Sequence, residues 1–133
     1  MMIQQNTKLL LPVTYMGVLF ILSSVPGDLP EDRLTGLLFE WFSPNWQNLL
    51  HLPLYGGLIA SWLWALAGRQ ISHFVWLGLS LLITISWAAI DEIHQLSVPG
   101  RYASFTDLAL DILGACLVAA YVGLRPRLLR QSV

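Results

Sequence analysis

Four long apolar stretches constrain the fold of this chain more than any other feature of its sequence. They lie near residues 9–25, 46–67, 74–90 and 108–124, and each ends at a charged residue, a glycine or a proline. Each is about 17 to 22 residues long, within the range of about 17 to 25 residues that a membrane-spanning helix needs. The pattern predicts an all-α membrane protein, built as a bundle of four transmembrane helices.

The composition agrees with a membrane protein. Of the 133 residues, 56% are hydrophobic and 11% are charged, whereas an average soluble domain has about 25% charged residues. Four helices and their loops use nearly the whole length, so we expect one domain over residues 1–133. The net charge of -1 and the absence of a basic run in the middle of the chain give no indication of a nucleic-acid partner.

The first apolar stretch has some features of a secretory signal peptide, since Lys8 precedes it and two serines, Ser23 and Ser24, lie near its end. No small-x-small cleavage site follows, and the rest of the chain is equally apolar. A first transmembrane helix is therefore the favoured interpretation. The single cysteine, Cys116, lies inside an apolar run and cannot form an intrachain disulfide.

The segment between the first two stretches predicts a short interfacial helix near residues 30–42. Its opening, residues 28–32, places a proline and acidic residues in the first helical turn, which is a favourable helix start. Large apolar residues then fall on one helix face: Leu34, Leu37, Leu38, Trp41 and Phe42. Such a helix lies in the plane of the membrane surface.

The distribution of lysine and arginine predicts the orientation in the membrane. A topology of four spans places five of these residues on one side (Lys8, Arg69, Arg125, Arg127, Arg130) and two on the other (Arg33, Arg101). Cytoplasmic loops carry the excess of positive charge. We therefore expect a multi-pass protein of the bacterial plasma membrane, with both termini in the cytoplasm and with loops 26–45 and 91–107 facing outward.

Polar residues recur at helical spacing within the apolar stretches, so that each pair shares a helix face: His51 and Tyr55, Asp91 and Gln95, Asp107 and Asp111. The topology places all of them near the outer leaflet. An acid at mid-membrane costs about 2.5 to 3.5 kcal/mol, so these side chains should face the bundle interior. Convergent polar groups in an apolar bundle predict a ligand-binding site. Its candidate residues are His51, Tyr55, Asp91, Glu92, Gln95, Arg101, Ser104, Asp107 and Asp111.

Some of these residues also have local structural interpretations. Ser104 and Asp107 match a capping box at the start of the fourth helix. Arg101 can serve as a bridge that pairs with Asp91, Glu92 or Asp107 and so lowers the cost of burying an acid. His94 can be a solvated loop residue.

An ordered set of motifs resembles the VanZ-like membrane proteins. The chain carries D-E-x-x-Q at 91–95, P-G-R at 99–101, S-x-x-D at 104–107 and then Gly114. On the earlier helices it carries H-x-x-x-Y at 51–55 and S-S-x-P at 23–26. The set covers about residues 23–114, and its order makes it specific.

Two positions depart from the pattern of that family. Asn48 stands three residues before the histidine, where lysine is frequent, and Asp111 stands where asparagine is frequent. These changes can alter the charge preference of a ligand site. The resemblance implies a bacterial plasma-membrane protein, and the name-giving member is linked to low-level resistance to the glycopeptide teicoplanin. It does not imply a mechanism.

Two classes of function follow from these residues. In the favoured one, the outward site binds a cell-envelope ligand, which is a lipid head group, a wall precursor or a glycopeptide. Arg101 then pairs with phosphate or carboxylate, while His51, Tyr55 and Gln95 supply neutral hydrogen bonds. The apolar walls accept membrane lipid.

The alternative is a membrane-embedded enzyme acting on a lipid-linked envelope substrate, with Glu92 or Asp107 as acid or base and with a role for His51. A metal held by His51, His94, Glu92 and Asp111 is a weaker form of this hypothesis, because the sequence has no H-x-x-x-H or H-E-x-x-H spacing. We therefore expect neither metal nor cofactor. A structural or transport role is a third option, and the sequence does not determine the oligomeric state.

Overall fold

The computed structural model describes residues 7–27 and 44–124, and the regular elements of these two segments are helical, with no strand among them. The four helices are α1 (Leu10–Ser23), α2 (Pro44–Leu66), α3 (His73–Gln95) and α4 (Phe105–Leu124). The interfacial helix predicted near residues 30–42 lies outside the described residues. So do Arg33 and the arginines that follow α4.

Helices α2, α3 and α4 are each long and apolar enough to cross a membrane. Their spanning segments have mean hydropathies of 1.4 to 1.8 over Asn48–Leu66, His73–Gln95 and Phe105–Leu124. Helix α1 is shorter, with 14 residues, which is about 21 Å at 1.5 Å per residue. The described segments are therefore all helical, as predicted, and α2, α3 and α4 have the length and apolar composition of membrane-spanning helices. That α1 makes a fourth span stays a prediction.

Helix α3 continues one turn beyond the apolar stretch that predicts it. Ser72 caps its start by accepting a hydrogen bond from the Val75 backbone N–H at 3.3 Å. Its last turn contains Asp91 and Glu92, which are both 5% exposed. The helix can include these acids because each finds hydrogen-bond donors inside the bundle.

Helix α2 forms the centre of the fold. Its Leu58 and Leu63 are fully buried. The Tyr15 hydroxyl of α1 donates to the Leu54 carbonyl at 3.0 Å, and the Trp76 indole N–H of α3 donates to the Leu63 carbonyl at 2.9 Å. Aromatic donors from two neighbouring helices therefore fix their positions against α2.

The contact between α2 and α4 depends on a small residue. A Cβ added to Gly114 would collide with the Leu52 backbone carbonyl, so glycine is what allows the two backbones to approach. Ala115, the next residue of α4, is fully buried in the same contact region. This approach sets the distance between His51, which is next to Leu52 on α2, and Asp111, which is one turn before Gly114 on α4.

The outer surface of the helices is apolar. Ile21 is 67% exposed, Leu82 is 63% exposed and Leu117 is 53% exposed. Exposed aliphatic side chains of this size on every face are costly in water and favourable in lipid. The fold is therefore that of a membrane protein, with its polar groups inside.

Contacts between distant residues order the two ends of the helices. The Lys8 ammonium lies 5.2 Å from the centre of the Trp64 ring, which places the start of α1 beside the end of α2. The Gly27 backbone N–H donates to the Pro99 carbonyl at 3.0 Å, which places the chain after α1 beside the loop between α3 and α4. One end of the fold therefore gathers the end of α1, the start of α2, the end of α3 and the start of α4.

Candidate functional site

The end of the fold that gathers these four helix termini also holds eight polar side chains of the described segments. We call the following residues the polar cluster: Ser23, His51, Tyr55, Asp91, Glu92, Gln95, Asp107 and Asp111. Five of them are at most 5% exposed: Asp91, Glu92 and Gln95 at 5%, Tyr55 at 2% and Asp111 at 1%. Charged groups at such burial in an apolar bundle need specific partners.

Asp91 is held by hydroxyl donors from two other helices. The Ser23 hydroxyl of α1 donates to its Oδ1 at 2.6 Å, and the Tyr55 hydroxyl of α2 donates to its Oδ2 at a longer 3.4 Å. Tyr55 is itself 2% exposed. Asp91 therefore joins α1, α2 and α3 through neutral donors, which is a structural role sufficient to explain its burial.

Asp111 is paired with a histidine. His51 Nδ1 and Asp111 Oδ1 are 2.9 Å apart, in a contact between α2 and α4. The His51 side chain is 24% exposed, and its ring is nearly parallel to that of Tyr55, four residues later. The close backbone approach at Gly114, one turn from Asp111, brings the pair within hydrogen-bond distance.

The start of α4 is capped by residues from two parts of the chain. The Ser104 hydroxyl accepts a hydrogen bond from the Asp107 backbone N–H at 3.3 Å, as a capping box requires. The reciprocal half of the box comes from elsewhere, because the Ser104 backbone N–H donates to Glu92 Oε2 at 2.7 Å. One carboxylate oxygen of Asp107 is buried and has no hydrogen-bond partner. Asp107 is therefore not fully explained as a cap.

Arg101 makes a different contact from the acid pairing considered above. Its Nε donates to the Val25 backbone carbonyl at 3.0 Å. Within the described segments the one ion pair is that of His51 with Asp111. A bridge from Arg101 to Asp91, Glu92 or Asp107 is thus not formed there, and the guanidinium instead links its loop to the chain after α1.

The loop that carries Arg101 approaches that chain closely. A Cβ on Gly27 would collide with the Gly100 carbonyl, and Gly100 has a φ of 70°. Glycine is favoured at both positions, at the first by the close approach and at the second by the left-handed backbone. The tight turn fixes the direction from which Arg101 reaches Val25.

His94 is more ordered than a solvated loop residue. It lies in the last turn of α3, where its Nε2 is 2.9 Å from the Ser24 hydroxyl and its ring stacks on Phe20 with centroids 4.2 Å apart. It joins α3 to α1 and is not part of the group formed by His51, Glu92 and Asp111. His94 and Ser24 are 70 residues apart in the sequence, so no local sequence pattern predicts their contact.

Three donor groups from three helices meet within the polar cluster. His51, Glu92 and Asp111 each offer one ligand atom, and all three atoms lie within 4.8 Å of one another. Asp107 lies one turn before Asp111 on the same helix. The arrangement can hold a cation or exchange a proton between histidine and carboxylate.

Comparison with known proteins identifies the family. The sequence model described as VanZ/LLP1 matches residues 6–125, which is nearly the whole chain. No curated protein and no solved structure matches this chain. The match includes every residue of the polar cluster.

Proposed function

The chain belongs to the VanZ/LLP1 family, and from this premise we propose that it binds the anionic head group of a cell-envelope lipid at the polar cluster. The observation that carries the proposal is the convergence of buried polar side chains from all four described helices at one end of an otherwise apolar bundle. Such a site lies where the head group of a surrounding lipid lies. A lipid-linked wall precursor presents the same phosphate chemistry.

Arg101 is the residue that we assign to the anion. Its Nε is fixed by the Val25 carbonyl, and the buried carboxylates of the described segments do not neutralise it. A guanidinium fixed at Nε presents its two terminal nitrogens in a defined direction. Its planar fork matches phosphate or carboxylate geometry better than a lysine ammonium does.

We further propose that α1 crosses the membrane with the other three helices, as a bundle of four spans in the bacterial plasma membrane. The Lys8 contact with Trp64 supports this arrangement, because it places the start of α1 at the same end as the end of α2. The excess of lysine and arginine that the sequence predicts for this side of a four-span topology favours the cytoplasm for it. The polar cluster then faces the outer leaflet.

A binding experiment tests the head-group proposal. Purified protein is mixed with phosphatidylglycerol, or with phosphatidylcholine as the zwitterionic reference, and retained lipid is counted by native mass spectrometry. The wild type should retain phosphatidylglycerol preferentially. Arg101→Lys should weaken that retention about tenfold, since one lost charge-assisted hydrogen bond is worth about 1.5 kcal/mol or more. Arg69→Lys, at the opposite end, is the matched control and should bind as the wild type does.

Equal retention of both lipids by the wild type would refute head-group selectivity. If Arg101→Lys binds normally but melts at a lower temperature, the arginine has only a structural role and the assigned anion contact is wrong. The family link to glycopeptide resistance supports a second measurement. Teicoplanin susceptibility of cells that produce the wild type should differ from that of cells that produce Arg101→Lys.

A second candidate function is a membrane enzyme that acts on a lipid-linked envelope substrate. The observation that favours it is the His51–Asp111 contact at 2.9 Å, because a carboxylate that orients an imidazole prepares it for proton transfer. Asp107, with its unpartnered buried oxygen, is the second acid or base. Release of phosphate from a prenyl pyrophosphate, present with wild type and lost with Asp111→Asn, would establish this alternative over simple binding.

A further inference from the structure

The polar cluster contains more negative charge than its neighbours compensate. Glu92 and Asp111 are 5% and 1% exposed, and His51 is the only basic side chain in the described segments that pairs with an acid. Arg101, the nearest arginine in the sequence, bonds to a backbone carbonyl instead. An uncompensated carboxylate in an apolar interior is costly, so a further positive charge would stabilise the site.

A buried carboxylate oxygen of Asp107 that has no hydrogen-bond partner is an independent indication that the cluster lacks a positive charge. Asp107 Oδ1 is buried and accepts no hydrogen bond. Asp107 lies one turn before Asp111 on α4, and Ser104, which accepts from the Asp107 backbone N–H, also donates to Glu92. A carboxylate oxygen without a donor is an available ligand for a cation beside these acids.

The donor geometry suits a metal ion. The three ligand atoms of His51, Glu92 and Asp111 lie within 4.8 Å of one another, whereas ligands about 2.0 to 2.2 Å from a shared ion are at most about 4.4 Å apart. Tetrahedral ligands at these distances are about 3.3 to 3.6 Å apart, so an inward shift of roughly 1 Å by the most distant ligand atom completes the site. The ion would replace the direct contact of His51 with Asp111.

We propose that His51, Glu92 and Asp111 bind a divalent cation, with Asp107 as a neighbouring acidic group. One imidazole and two carboxylates form a mixed donor set that suits Mn²⁺ or Zn²⁺. Because the ligands come from α2, α3 and α4, the ion also fastens three helices together at the polar end. The site has no local sequence signature, since its ligands are far apart in the chain.

The cation links the acidic cluster to the proposed ligand. The carboxylates of the cluster repel a phosphate, whereas a divalent ion held by His51, Glu92 and Asp111 attracts it and leaves open coordination positions for its oxygens. Arg101 would then contact the same head group from the loop. This last step rests on the proposed function, whereas the cation site does not depend on it.

Metal binding to the purified protein tests the site directly. Protein in detergent is stripped with a chelator and titrated with MnCl₂, and separately with ZnCl₂, while bound metal is measured by equilibrium dialysis and elemental analysis. One ion per chain is expected. Glu92→Gln and Asp111→Asn each keep the hydrogen-bonding shape of their side chain and should weaken binding at least tenfold. His73→Gln is the control variant, since His73 begins α3 at the end of the fold opposite the ligand set.

A spectroscopic measurement covers the case in which a variant does not fold. Mn²⁺ bound to wild-type protein with ¹⁵N-labelled histidine should show nitrogen hyperfine coupling from one imidazole, and the coupling should vanish in His51→Gln. Absence of a stoichiometric ion in the wild type, absence of the coupling, or an equal loss of binding in His73→Gln would overturn the cation site.

The lipid measurement separates this inference from the proposed function. Phosphatidylglycerol retention is compared for metal-free and Mn²⁺-loaded wild type. Protein that binds Mn²⁺ and retains no excess of this lipid supports the cation site and refutes the head-group proposal. Protein that retains the lipid with no stoichiometric ion supports the head-group proposal and refutes the cation site.

Discussion

Replacement of Gly114 by alanine should separate α2 from α4 and destabilise the fold. The added Cβ would lie 3.0 Å from the carbonyl carbon and 3.1 Å from the Cα of Leu52, whereas carbon atoms pack best at about 3.5 to 4.0 Å. The obstacle is backbone, which cannot rotate away as a side chain can. The Cβ would come closest to the Leu52 carbonyl oxygen, so the two helices must move apart by roughly 1 Å or more to restore an ordinary contact.

The expected free-energy change is a balance of two terms. Overpacking of a tight contact costs about 1 to 3 kcal/mol, and alanine gains about 1 kcal/mol over glycine in a helix interior. A net loss of up to about 2 kcal/mol remains. The separation also stretches the 2.9 Å contact of His51 with Asp111, one turn away.

Reversible unfolding in detergent, monitored by circular dichroism, measures this loss of unfolding free energy. Gly123→Ala on the same helix is the matched control, because its Cβ would lie 3.4 Å from the Leu77 Cδ1 atom, a side-chain contact of nearly ordinary length. That variant should be as stable as the wild type or more so. If Gly114→Ala has the same unfolding midpoint as Gly123→Ala, and neither midpoint is below that of the wild type, the close approach of α2 and α4 is refuted.

Three further predictions concern the orientation and the hydrogen bonds of the polar end. A cysteine at Ser97 in a Cys116→Ser background should react with a membrane-impermeant maleimide in intact cells; labelling only after permeabilisation would reverse the proposed orientation. Ser23→Ala removes a 2.6 Å bond to a buried carboxylate and should cost about 1 to 3 kcal/mol in detergent unfolding, whereas Tyr55→Phe removes a 3.4 Å bond and should cost less; the opposite order would contradict the assigned donors. Asp107→Asn keeps the backbone donor of the helix cap, so it should lose only the dipole contribution of about 0.3 to 1 kcal/mol, and a larger loss of thermal stability would indicate a further role.

Much of the fold could be predicted from the sequence because its physical cause is local. A segment that crosses the lipid must satisfy its backbone hydrogen bonds within the protein, and a helix lets a single segment do so on its own. The stretches near 46–67, 74–90 and 108–124 accordingly became α2, α3 and α4. The family followed from the order of short motifs and is confirmed over residues 6–125.

Helix ends were harder to predict. Hydropathy ends the third stretch at residue 90, before the first acid, but α3 continues through Gln95. The acids belong to the helix because Asp91 and Glu92 have donors from other elements. A window of local sequence contains no information about those donors.

The sequence predicted some features of the polar cluster, and others depend on the tertiary structure. Helical spacing alone placed His51 with Tyr55 on one face of α2, and alternation of the helices placed the polar residues of α2, α3 and α4 at one depth. The tertiary structure alone decided their partners: Asp111 for His51, Ser23 for Asp91 and the Ser104 backbone for Glu92, at sequence separations of 60, 68 and 12 residues. The physical reason is that periodicity fixes only the direction of a side chain on its own helix. Its partner depends on how closely and in which register two helices pack, and in this chain the absence of a side chain at Gly114 sets that approach for α2 and α4.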